Sequence, residues 1–113
     1  MPRMKPSTAL RKRMDAALGP GMDWTEQELE LLTLAGRAAD RVEIVQAQFD
    51  RELSRDEPRP MHVVRLSAEL RALERAQADL VARLNPVGEG PAKSERHVRA
   101  ALVRWDRERE RHG

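Results

Sequence analysis

Residues 56–60 read Asp56-Glu57-Pro58-Arg59-Pro60, and this proline-marked turn stands between two heptad-spaced apolar stripes. Before it, Leu31, Ala35, Ala38, Val42, Val45, Phe49 and Leu53 recur at steps of three and four; after it, Val63, Leu66, Leu70, Leu73, Gln77, Leu80 and Leu84 do the same. At about 100° per residue each set falls on one narrow helix face, so the pattern predicts a long antiparallel helical hairpin. Such a hairpin presents surfaces to other molecules and encloses no pocket for chemistry.

The ends of the arms carry their own signals. Thr25-Glu26-Gln27-Glu28 matches a capping box, with Trp24 and Leu29 where a hydrophobic staple would put them. Glu26, Glu28 and Glu30 favour the positive end of that helix. Upstream, Pro6-Ser7-Thr8 offers a cap for a short helix over residues 8–18, which places Leu10, Met14 and Leu18 on one face and stops at Gly19-Pro20-Gly21. Downstream, Asn85-Pro86 ends the second arm, because proline restricts its predecessor and cannot continue the ladder. Residues 87–93, with Gly88, Gly90 and Pro91, read as a linker, and Ser94 caps a final amphipathic helix with Val98, Ala101, Leu102 and Trp105 on one side. The expected fold is therefore all-α. It comprises a basic N-terminal segment with one short helix (1–23), a hairpin core (24–86), a linker (87–93) and a C-terminal amphipathic helix (94–113).

Composition agrees. Of 113 residues 35% are charged, there is no tyrosine, and Ala, Leu, Glu and Arg, all good helix formers, dominate. The absence of cysteine rules out disulfides and thiolate metal sites. No apolar run approaches a membrane span and the basic N-terminus has no apolar stretch behind it, so the expected location is cytoplasmic. His62, His97 and His112 are far apart without ligand spacing, no glycine-rich loop joins a strand to a helix, and the alternating charges of Glu69, Arg71, Arg75, Asp79 and Arg83 fit a solvated ion-pair face. No cofactor, metal or catalytic activity is expected.

The net charge of +2 conceals a polarity along the chain: residues 1–20 balance at +4, 21–60 at −5, 61–90 at zero and 91–113 at +3. Basic ends suit contact with a polyanion. A second set of small or apolar positions lies off the seam, including Leu32, Ala39 and Ile44 on the first arm and Ala68, Ala72 and Ala76 on the second. Two helices alone bury little, so these faces are the expected subunit contacts. Gly36 marks either a close helix approach or nothing, and Gln77 is either a buried amide fixing register or a seam-edge residue that reaches water.

The run Leu10-Arg11-Lys12-Arg13-Met14 before a Gly-Pro-Gly turn is followed by Trp24-Thr25-Glu26-Gln27-Glu28-Leu29-Glu30-Leu31-Leu32 and Ala38-Ala39-Asp40-Arg41-Val42-Glu43. With Leu70-Arg71-Ala72-Leu73-Glu74-Arg75-Ala76 and the break at Leu84-Asn85-Pro86, this arrangement resembles the small terminase subunits of tailed bacteriophages, most of all the short type of actinobacterial phages. The resemblance covers residues 8–86. It implies a non-enzymatic packaging factor in the host cytoplasm: a ring built from the hairpins that binds double-stranded viral DNA and recruits and regulates the large terminase subunit, an ATPase and nuclease. Arg3, Lys5, Arg11, Lys12 and Arg13 would be the first candidates for DNA, and Val98, Leu102 and Trp105 for docking the large subunit. Many members carry an N-terminal helix-turn-helix; residues 1–23 hold one short helix, which favours backbone or shape readout over base reading. A dimeric helical adaptor and a small DNA-binding transcription regulator are the alternatives that the same residues leave open.

Overall fold

A computed structural model describes residues 3–84 and 91–112, and for residues 91–99, 101 and 112 the backbone alone. Its elements, in chain order, are α1 (Pro6–Leu18), α2 (Glu26–Leu53), α3 (Pro60–Leu84) and α4 (Pro91–His112), with no strand among the described residues. The all-helical expectation holds.

The start of α2 forms as its sequence dictates. The Thr25 hydroxyl accepts from the Glu28 amide at 3.2 Å while the Glu28 carboxylate accepts from the Thr25 amide at 3.0 Å. The helix stops at Leu53, and α3 opens with Pro60, whose fixed φ suits a first turn and whose missing N–H is no loss there.

Two helix starts differ from expectation. Helix α1 begins at Pro6 with Lys5 as its cap residue, so Ser7 and Thr8 sit inside the first turn instead of capping it. The Ser7 amide is satisfied from outside, by the Asp40 carboxylate of α2 at 2.8 Å. Helix α4 begins at Pro91, so Ser94 lies within it and residues 91–93 belong to the helix rather than to a linker. The rest of the expected linker, with Asn85 and Pro86, falls outside the described residues.

Packing is uneven along the hairpin. Leu10, Met14 and Leu18 of α1, Trp24, Leu32, Ala35 and Ala39 of the α2 side, and Leu84 from the end of α3 form one buried cluster, flanked by Met22, Leu29, Leu31, Leu80 and Val81. Three helices meet only at this base. Further out the seam is a two-helix contact: Val42, Val45, Phe49, Val63, Leu66 and Leu73 are half-buried, Leu70 is buried, and Leu53 is exposed. Gln77 is half-buried on an open groove between α1, α2 and α3, the seam-edge position rather than the fully buried one.

Gly36 marks a close approach. A Cβ placed there would stand 3.1 Å from the Cβ of Ser7, so the missing side chain lets α1 lie down on α2. In the α1–α2 turn, Gly19 and Gly21 take φ of 92° and 77°, the left-handed region that glycine enters without steric cost.

Candidate nucleic-acid and subunit interfaces

The five N-terminal cations do not form one patch. Arg3 pairs with Glu43 of α2, and Arg11 pairs with Asp15 one turn on, Nε to Oδ1 at 2.9 Å. Leu10, Met14 and Leu18 turn one side of α1 into the core, so consecutive residues 11, 12 and 13 fan around the rest of the helix at about 100° each. Arg11 and Lys12 line the groove between α1 and α2 together with Ser7, Thr33, Arg37 and Asp40. Arg13 and Arg3 line the opposite groove, beside Glu43, Gln46 and Asp50. Lys5, Lys12 and Arg13 are exposed and make no ion pair among the described residues.

The candidate subunit contacts also divide. Leu32 and Ala39 lie in the chain's own core under α1, so the outer-face role expected of them is corrected: α1 already occupies that side of α2. Ile44 is 59% exposed, and Ala68, Ala72 and Ala76 are all exposed. Met61, 72% exposed, and Val64, 60% exposed, extend the alanines into a stripe at steps of three and four on the side of α3 opposite the seam. Those two residues are outside the set expected from the sequence, which on this arm held alanines alone and stopped short of the turn.

At the hairpin tip a single carboxylate organises the turn. Glu52, 3% exposed, accepts on Oε1 from Arg59 Nε at 2.8 Å, with Arg59 Nη2 at 2.6 Å and His62 Nδ1 at 3.5 Å. Arg55 Nε lies 3.1 Å from Oε2 but out of line for a hydrogen bond, which leaves that oxygen with an ion pair alone. The Arg59 hydrogen bond is the main cause that holds the Glu52 carboxyl below its ordinary range, with the charges of Arg59 and Arg55 adding to it against a desolvation cost.

Helix α4 returns to the start of α2. Arg104 donates from Nη2 to the Trp24 carbonyl oxygen, pairs with Asp23, and brings Nε to 3.8 Å from Glu26, which Arg107 also approaches at 3.8 Å. Ala100 and Val103 line a shallow groove with Trp24 beside these ionic contacts. Leu102 and Trp105, 58% and 68% exposed, keep their apolar surface away from it, and the side chain of Val98 lies outside the described residues. Glu69, Arg71, Arg75, Asp79 and Arg83 on α3 are exposed and form no ion pair with one another or with any described residue, so that face is solvated but unpaired.

Among the described residues no group of three or more His, Cys, Asp or Glu could hold a metal ion, and no helix is long and apolar enough to cross a membrane. No protein-family model, curated protein or solved structure matches the chain.

Proposed function

We propose that this chain is a small terminase subunit of a tailed bacteriophage. It is a non-enzymatic packaging factor that closes into a ring, binds double-stranded viral DNA in the host cytoplasm, and recruits and regulates the large terminase ATPase and nuclease. The observation that carries the reading is the uneven filling of the hairpin. One end is a three-helix core, while the outer part of the hairpin, beyond the reach of α1, leaves Met61, Val64, Ala68 and Ala72 in solvent and its seam half-open. Contiguous apolar surface of this kind marks an interaction site. The stripe on α3 is one such patch, and its contact with an unlike patch of a neighbouring copy generates a ring where the rotation closes.

Exposed cations supply the second element. Lys5, Lys12 and Arg13 are free to release counterions from a phosphate backbone, and the fan of side chains around α1 suits backbone contact better than insertion of a reading helix.

Native mass measurement at micromolar concentration, coupled to duplex DNA binding across a salt series, tests the proposal. The expected result is a closed oligomer of more than four subunits whose affinity falls linearly with the logarithm of salt. A dimer without DNA binding would replace the reading with an adaptor, and a dimer selective for one operator with a transcription regulator.

A further inference from the structure

The acidic balance of residues 21–60 hides a segregated surface. On α2, positions 37, 41, 44, 48 and 51 are separated by steps of four and three, which keeps Arg37, Arg41, Ile44, Gln48 and Arg51 on one stripe. All five are exposed, and the three arginines make no ion pair among the described residues. Glu30 is exposed two turns before Arg37 and bounds the basal end of the stripe; the other acids of the same helix are placed elsewhere or already engaged. Glu43 and Asp50 line the opposite groove with Arg3 and Arg13. Asp40 accepts the Ser7 amide, and Glu52 is buried beneath Arg55 and Arg59.

Each end of the stripe opens into a groove that holds further cations. At the base Arg37 shares the groove between α1 and α2 with Lys12 and Arg11, where Asp15 pairs with Arg11 and Asp40 accepts the Ser7 amide. At the tip Arg51 shares a groove with Arg55, Arg59 and His62, whose only acid is the buried Glu52. From Arg37 to Arg51 the helix rises about 21 Å at ~1.5 Å per residue. That length equals the axial rise of about six base pairs of duplex DNA at ~3.4 Å each.

We propose that this flank of α2 is a phosphate-contacting track, in which Arg37, Arg41 and Arg51, joined by Lys12 across the basal groove, hold one strand of the duplex backbone along the hairpin. The assignment rests on the packaging reading and deepens it: the principal DNA contact lies on the long helix, with α1 contributing one edge. Arginine suits the task, because its planar fork grips phosphate oxygens in pairs. Gln48 supplies an uncharged donor between the arginines, consistent with backbone contact that carries no sequence code.

The test compares three full-length proteins by fluorescence anisotropy on a random-sequence 30-base-pair duplex between 50 and 200 mM salt, with native mass measured for each. The track variant carries Arg37→Gln, Arg41→Gln and Arg51→Gln. The control carries Arg71→Gln, Arg75→Gln and Arg83→Gln, the same loss of charge from exposed arginines of α3. Glutamine preserves helix propensity in both. The expected result is that the track variant keeps its oligomeric state and loses about three units of salt slope, at ~0.9 per phosphate contact, with affinity at 50 mM salt weakened more than tenfold. The control should retain the wild-type slope. Equal weakening by both variants would show that net charge alone acts, and would overturn the track while leaving DNA binding in place. Loss of the oligomer in the track variant would make this flank a subunit contact and overturn it as well. Absence of salt-dependent binding by the wild-type protein would overturn the packaging reading and the track together.

Discussion

The carboxylate of Asp40, in the middle of α2, accepts the amide of Ser7 in the first turn of α1 at 2.8 Å. A helix N-terminus leaves donors that its own ladder cannot satisfy, and here a neighbouring helix satisfies one of them. The bond sits one turn from Gly36, where a Cβ would stand 3.1 Å from that of Ser7. Asp40 and Gly36 together fix where α1 lies, and so which of its cations reach which groove.

Replacing Asp40 by Ala should lower unfolding stability by about 1 kcal/mol, the usual cost of losing a cap, as read from urea denaturation. Asp40→Asn, which retains an acceptor, should recover most of it. No difference between the wild-type protein and Asp40→Ala would mean that water serves the Ser7 amide equally well.

Trp24 is the larger fixture of the base. It is 1% exposed and its Nε1 donates to Asp15 Oδ1 at 2.7 Å, which ties the end of α1 to the start of α2. Truncation to Ala should cost about 3–5 kcal/mol, the range for large aromatic deletions in cores. Trp24→Phe keeps most of the volume and removes the donor, so it should fall between Ala and wild type in urea midpoint.

The tip titrates. Because the Glu52 carboxyl is held below its unfolded range, chiefly by the Arg59 hydrogen bond, its contribution to stability is complete above the unfolded carboxylate pKa of about 4.3 and is lost as pH falls through the folded value. Melting temperature should therefore decline on acidification below about pH 5. Glu52→Gln should show a shallower decline over the same window, and an identical pH profile would place the acid sensitivity elsewhere.

The hairpin, its capping box and the apolar side of α1 were legible because periodicity and caps are local. Where α1 would lie was not. Leu32 and Ala39 look like outer-face residues on a two-helix wheel, and only the packing of Leu10, Met14 and Leu18 over them shows that they are core. The cations of α2 were hidden for a related reason: a segment total of −5 averages over a helix whose acids and bases occupy different sides. Pro91 read as a linker residue because proline breaks helices, yet at a first position it starts one.

The exposed stripe on α3 gives a prediction about assembly. Val64→Glu combined with Ala68→Glu places two charges on a surface that is in solvent within the single chain, so helicity and the basal core should be unchanged. In an assembly that covers the stripe, the same charges would be desolvated without partners, at a cost of several kcal/mol per ion. Native mass spectra should show smaller species for this variant. An unaltered oligomer would exclude the α3 stripe from the contact.

Helix α4 yields the last prediction. Among its described side chains, Arg104 and Arg107 meet Asp23, Trp24 and Glu26, Ala100 and Val103 line a groove beside Trp24, and none belongs to the basal cluster. Truncation after Asn85 should therefore leave helicity per residue, melting of the hairpin and oligomer size nearly unchanged. Arg104→Ala should act the same way on stability, because an ionic contact at the surface contributes little. Trp105 is different, since its ring is open to solvent and beside Leu102. If it anchors a large terminase subunit, Trp105→Ala should weaken that complex about thirtyfold, equivalent to ~2 kcal/mol at an aromatic hot spot, and remove most of the ATPase stimulation. Collapse of the oligomer on truncation would instead assign Leu102 and Trp105 to contacts between copies of the chain, and the docking role would fall.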